Sequence, residues 1–374
     1  MNARLGFVAL LALGIGAAAP SIVFPGVLGA LVASGRYEGA TAAWVISGEL
    51  AGMMVAAALV AWLGARVAFR RVAAISVVAF LVLDVASAAL PSLSLLVTLR
   101  VLAGAGEGAA IASMAAMAAS LTSAARYFAV SVACNLAASA VLLRVFPRSM
   151  AYGTGGIFLL LAVVALPSLL LLRALPVPVA ATAAAAPRLQ ISRGVVLACL
   201  CTLFFFAAIS TVWSFVTLAA TKAGLSFDQS SQVLALATVA GIATGLGVSW
   251  LTTRVPRQAA LLVGTIGLAV VIAVFADGVT ATSFAPITML LMIAYVFTLP
   301  FYFGTIAALD RSGRVMAFAI ALQFAGLASG PAVAAVILES SGQLARVFWF
   351  ACALCVAAGA LAIGSGAAKD LAKH

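Results

Sequence analysis

The chain has 374 residues, of which 66% are hydrophobic and 8% charged, with a formal net charge of +11; its mean hydropathy is +1.27. A water-soluble domain carries about 25% charged residues, so a soluble globule is excluded and a chain facing hydrocarbon is expected. The basic residues fall singly or in pairs between apolar runs, which excludes a nucleic-acid-binding tract and fits the control of membrane topology.

A membrane-crossing helix needs about 20 apolar residues, and the pattern predicts twelve: 5–33, 41–64, 72–90, 94–121, 127–146, 151–173, 194–220, 229–251, 258–276, 283–308, 315–338 and 344–366. The first apolar run is long and lacks a cleavage pattern, so it is read as a span rather than a leader. Pro20 and Pro25 within it suggest a flexible gate. Residues 174–193, rich in Ala and Pro, read as a cytoplasmic linker between an N-terminal six-helix bundle (1–173) and a C-terminal one (194–374). With the N-terminus placed in the cytoplasm, fourteen of the twenty basic residues lie on that side. Five lie outside (Arg36, Arg144, Arg148, Lys222 and Arg346), and Arg100 lies within a span. The bias predicts both termini inside, in a bacterial inner membrane.

The halves align at one offset. Arg66 and Arg254, Arg126 and Arg314, and Asn135 and Gln323 are each 188 residues apart (254 − 66). Parallel repeats of this kind build transporters whose solute site lies near the midplane.

The segment from Leu96 to Gly108, with Arg100, Gly104, Gly106 and Glu107, resembles the fourth-helix motif of the major facilitator superfamily, L-x-x-x-R-x-x-x-G-x-G. Ala223 to Gln232 is similar to that family's turn into helix 8, and Gly326 to Pro331 to its helix 11 segment. The resemblance covers essentially the whole chain. It implies an all-α membrane fold of two pseudo-symmetric six-helix bundles, alternating-access transport and a cavity lined by spans 1, 4, 7 and 10. Two departures stand out. The loop after span 2 keeps Arg66, Arg70 and Arg71 but lacks the family's Asp, and span 5 lacks the glycine signature of drug antiporters.

Among nine acidic residues, Glu49, Asp84 and Glu107 fall inside spans, with Arg100. Ionised groups in hydrocarbon cost several kcal/mol and persist where they pair, line water or carry protons. At the helical rise, Asp84 and Arg100 lie ~9 Å, Glu49 ~12 Å and Glu107 ~20 Å below the outer ends of their spans. Asp84 and Arg100 are therefore expected to form a pair locking the N-terminal half. Glu107 has no basic residue one turn away, so it is the first candidate to carry a coupling proton, with Glu49 second. Glu107, Glu49, Asp84 and Arg100 form the expected proton-coupling set.

The second half is aromatic, with 19 Phe, Trp and Tyr after residue 187 against 12 before, and its spans are expected to hold no charge. Pro300 is expected to break the backbone ladder of span 10. Trp213, Tyr295 and Tyr302 carry polar handles, and Asn135 and Gln323 offer amides. These five are the candidate solute contacts, against the alternative that they serve as packing and interhelical glue.

No phosphate-binding loop G-x-x-x-x-G-K is present, which excludes an ATP-driven pump for this chain alone. The five cysteines read as small hydrophobes, Cys352 and Cys355 included. A second transport reading is a copper or soft-metal carrier using Met53, Met54, Met114, Met117, Met289 and Met292. The only histidine is His374, which also leaves a membrane-embedded enzyme without a base. The sequence thus predicts a proton-coupled carrier of a small organic solute. It is expected to work as a monomer, without cofactor or nucleic acid.

Overall fold

A computed structural model describes residues 3–63, 66–89, 92–119, 121, 124–176, 192–251, 254–309 and 314–364. Most of the expected linker (177–191), Asp310, Arg311 and the C-terminal Lys369, Asp370, Lys373 and His374 lie outside the described residues. So do the side chains of Arg126 and Arg314.

Twelve helices account for the described residues: α1 (Ala3–Ala33), α2 (Gly39–Leu63), α3 (Phe69–Ala88), α4 (Leu93–Ala119), α5 (Ala124–Ser149), α6 (Gly156–Leu170), α7 (Arg193–Lys222), α8 (Phe227–Leu251), α9 (Arg257–Asp277), α10 (Ala281–Leu309), α11 (Arg314–Ser341) and α12 (Leu344–Gly364). Eleven are long and apolar enough to cross a membrane. In hydrocarbon each backbone polar group must be satisfied within its own segment, and the helix does this. The sixth, expected over 151–173, is shorter, because turns of 3₁₀ helix at Met150–Tyr152 and Leu172–Ala174 replace its ends. Five connections turn at a glycine with positive φ (Gly35, Gly153, Gly224, Gly278 and Gly342), a conformation side chains resist.

Pro300 lies inside α10; having no N–H, it removes one rung of the ladder without ending the helix. Three acidic residues of the second half stand at helix ends, outside the expected spans: Asp228 opens α8, Asp277 closes α9 and Glu339 lies in the last turn of α11. These helices run past the apolar stretch into the polar boundary.

The chain forms two compact units, residues 1–184 and 185–374. Within the first, α1 packs on α2, α4, α5 and α6; α4 packs on α2, α3 and α5; and α6 packs on α3 and α5. Within the second, α7 takes the place of α1 and α10 that of α4, and every one of these pairings recurs. The helix ends keep the register too. α2 and α8 end at Leu63 and Leu251, α3 and α9 begin at Phe69 and Arg257, and α6 and α12 begin at Gly156 and Leu344. Each pair is 188 apart (251 − 63).

Candidate functional site

The site of unit 1 is built on glycines. A Cβ on Gly104 or Gly108 of α4 would stand 2.0 and 2.2 Å from the carbonyl oxygens of Glu49 and Met53 on α2. One on Gly52 of α2 would stand 2.0 Å from the Val101 carbonyl oxygen. Only hydrogen at these three positions lets the two backbones touch. Gly106, on another face of α4, lies against Ser76 and Phe80 of α3. The G-x-G-x-G run therefore clamps α4 between α2 and α3. That contact brings Glu49 and Asp84 to Arg100.

Arg100 is the hub. Its Nε donates to Glu49 Oε2 at 3.1 Å and its Nη2 to Glu49 Oε1, a bidentate pair. Nη1 donates to Asp84 Oδ1 at 2.5 Å. Nη2 also reaches Glu107 Oε1 at 3.4 Å. The guanidinium carbon lies 5.2 Å from the ring centroid of Phe158 on α6, within cation–π range. Relative exposures are 0% for Arg100 and Glu107, 1% for Asp84 and 5% for Glu49. Glu107 Oε2 is buried without a hydrogen-bond partner.

Three carboxyl groups thus share one guanidinium, where the sequence predicts a single Asp84–Arg100 pair. The expectation that Glu107 lacks a basic neighbour is corrected. Helical side chains lean toward the N-terminus, so Glu107 tilts back toward Arg100, and two long side chains close the two-turn gap. Phe158 carries no sequence signal of its own; its role is visible only once α6 is packed.

The candidate solute contacts divide between the units. Asn135, in unit 1, is half-buried and donates to Ser131 Oγ one turn away at 3.4 Å. In unit 2 the structure brings Tyr295 and Tyr302 of α10 onto Phe205 of α7, with ring centroids 6.0 and 4.3 Å apart. The Tyr302 hydroxyl meets Thr265 Oγ1 of α9 at 3.4 Å. Trp213 is buried on α7 and Gln323 half-buried on α11.

Of the methionines, Met114 and Met117 belong to the apolar core of unit 1, and Met53 packs on Gly108. The five cysteines are free. Cys201 and Cys355 donate to the carbonyls of Ala358 and Thr265, joining α7 to α12 and α12 to α9. No group of three or more His, Cys, Asp and Glu suited to a metal occurs among the described residues.

The 188-residue repeat supplies an internal control. The positions in unit 2 that correspond to Glu49, Asp84, Arg100 and Glu107 hold Ala237, Ile272, Thr288 and Tyr295. The same helix pairings form there without any of the four charges.

Several solved transporters share this fold. A D-xylose–proton symporter is 16% identical with a TM-score of 0.79, over 96% of this chain and 97% of that one. A point mutant of the nucleoside transporter NupG is 12% identical with a TM-score of 0.76, over 98% and 100%. The xylose transporter XylE from E. coli, in an inward-open conformation, is 14% identical with a TM-score of 0.75, over 94% of each chain. No curated protein matches the sequence. The sequence pattern of the Major Facilitator Superfamily matches residues 5–310, and the chain, with its twelve helices in two repeated units, belongs to that family.

Proposed function

We propose that the protein is a proton-coupled secondary transporter of a small organic solute, working by alternating access as a monomer in a bacterial inner membrane with both termini cytoplasmic. The observation that carries the coupling is the buried cluster of unit 1. If fully ionised, Glu49 (α2), Asp84 (α3) and Glu107 (α4) against Arg100 (α4) leave a formal charge of −2. From α6 the ring of Phe158 faces the guanidinium. Uncompensated charge at that depth costs several kcal/mol, and protons are the counter-charge that can come and go. Glu107 is the member best placed to exchange one, because its Oε2 has no fixed donor.

Unit 2 supports a functional rather than a folding reason for these charges, since its homologous positions are neutral. Protonation changes the relative energy of two conformations only by its differential effect on them. A cluster that binds a proton more tightly in one state would supply that difference. Arg100, released in part when a carboxyl is neutralised, would then re-divide its donors among the others.

The solute is read as a small neutral molecule. Tyr295, Tyr302 and Trp213 offer ring faces and hydroxyl or N–H donors, and Asn135 and Gln323 offer amides. Fold relatives that carry xylose and a nucleoside support a solute of that size and polarity.

The test uses protein in proteoliposomes with an imposed pH gradient. Glu107→Gln, which fixes the neutral form, is expected to lose accumulation driven by the gradient while retaining solute counterflow, which needs no net proton movement. Accumulation by that variant at the wild-type level would refute the assignment of coupling to Glu107.

A further inference from the structure

The end of unit 1 that carries the start of α1 collects arginines around one turn. Arg70 at the start of α3 donates from Nη2 to the carbonyl of Arg173 at 2.7 Å, just after α6. Gly6 of α1 lies against the carbonyl of Ala174, its neighbour. These contacts place Arg4, Arg70, Arg71 and Arg173 around the turn Leu172–Ala174, with Arg66 in the connection before α3. Arg4, Arg66, Arg71 and Arg173 are exposed.

None of the four acidic residues of unit 1 lies beside Arg70, Arg71 or Arg173. Glu38 lies between α1 and α2 at the opposite end, and Glu49, Asp84 and Glu107 are buried around Arg100. Leading away from the arginines, α6 exposes Leu170, Leu166, Val163 and Leu159 at four- and three-residue spacing, a single apolar face. Leu5 and Val8 are exposed on the adjoining α1.

We infer that this turn is a binding site for an anionic phospholipid, its phosphate held by Arg173, Arg71 and Arg70 and an acyl chain laid along the exposed face of α6. The two halves of the site fit one molecule. Guanidinium groups bind phosphate oxygens through paired N–H donors, and each basic residue at a charged membrane surface strengthens lipid attachment about fivefold. A soluble anion would use only the arginines, whereas a bilayer lipid would engage both the arginines and the hydrocarbon-facing side of α6. Topology control accounts for positive charge on one side of the membrane. It does not require that the arginines share one turn at the head of an apolar face.

The test is retention of lipid by the detergent-purified full chain, measured by native mass spectrometry against phosphatidylglycerol and phosphatidylcholine of identical acyl chains. The wild type is expected to keep phosphatidylglycerol preferentially. Arg173→Gln and Arg71→Gln are each expected to weaken that retention about fivefold, and Arg36→Gln, at the opposite end, to leave it unchanged. Arg173 contributes only its carbonyl to the Arg70 bond, so Arg173→Gln keeps the local fold. Equal retention of the two lipids, or equal loss in Arg36→Gln, overturns the site. Displacement of phosphatidylglycerol by millimolar glycerol phosphate would identify a soluble-anion site and overturn the lipid assignment.

Discussion

At the scale of single residues, the behaviour of unit 1 turns on Arg100, whose four donor contacts are divided among three carboxyl groups on three helices. Removing one member of a buried ionic group is worse than removing all of it, because the survivors are left without a partner. Arg100→Ala is therefore expected to destabilise the protein by roughly 3–5 kcal/mol, measured by thermal unfolding in detergent. Asp84→Asn in that background should recover part of the loss, with a coupling of at least ~1 kcal/mol; purely additive effects would mean the two do not act together. The sequence made the membership of this cluster legible, since intramembrane charges are few and their depths can be counted. Its connectivity was not legible. Depth along a straight helix ignores the tilt of side chains, so it leaves Glu107 two turns from Arg100 and does not reveal the bidentate bond of Glu49.

At the scale of elements, α2 and α4 touch through backbone at Gly52, Gly104 and Gly108, so the glycines decide whether the charges meet at all. Gly104→Ala would set a methyl 2.0 Å from the Glu49 carbonyl oxygen, and backbone must shift to admit it. A loss of roughly 1–3 kcal/mol or more is expected from the overpacking, together with weakened coupling, because the shift carries Glu49 away from Arg100. Gly247→Ala on α8, where nothing lies within 4 Å, is the matched control and should cost nothing. Equal unfolding temperatures for the two variants would show that the α2–α4 contact is looser than described. The helices themselves were readable to within a few residues, because twenty-residue apolar runs broken by Gly, Pro and Arg leave few alternatives. The apolar pattern does not show that the ends of span 6 wind into 3₁₀ turns, because the same composition suits either kind of helix.

At the scale of the whole molecule, the proposed orientation comes first. Cysteine tags at positions 180 and 370 should both resist an impermeant reagent in intact cells, and labelling of either from outside would reverse the topology. The repeat then separates what the fold needs from what transport needs. Both units use the same helix pairings, yet the second places Ala237, Ile272, Thr288 and Tyr295 where the first has Glu49, Asp84, Arg100 and Glu107. If the charges were required for folding, unit 2 would need a replacement for them at those positions, and it has only neutral side chains. Neutralising the whole cluster at once, by Glu49→Gln, Asp84→Asn, Arg100→Met and Glu107→Gln, removes every partner together and leaves no orphaned charge. Exchanging a complete buried ionic group for neutral side chains of similar volume is often neutral or stabilising, by about 1–4 kcal/mol. The quadruple variant is therefore expected to unfold at or above the wild-type temperature, in contrast to Arg100→Ala alone, and to have lost accumulation driven by a pH gradient. A quadruple variant that is as unstable as Arg100→Ala would make the cluster a folding element of unit 1. One that still accumulates solute under the gradient would place proton coupling elsewhere in the molecule.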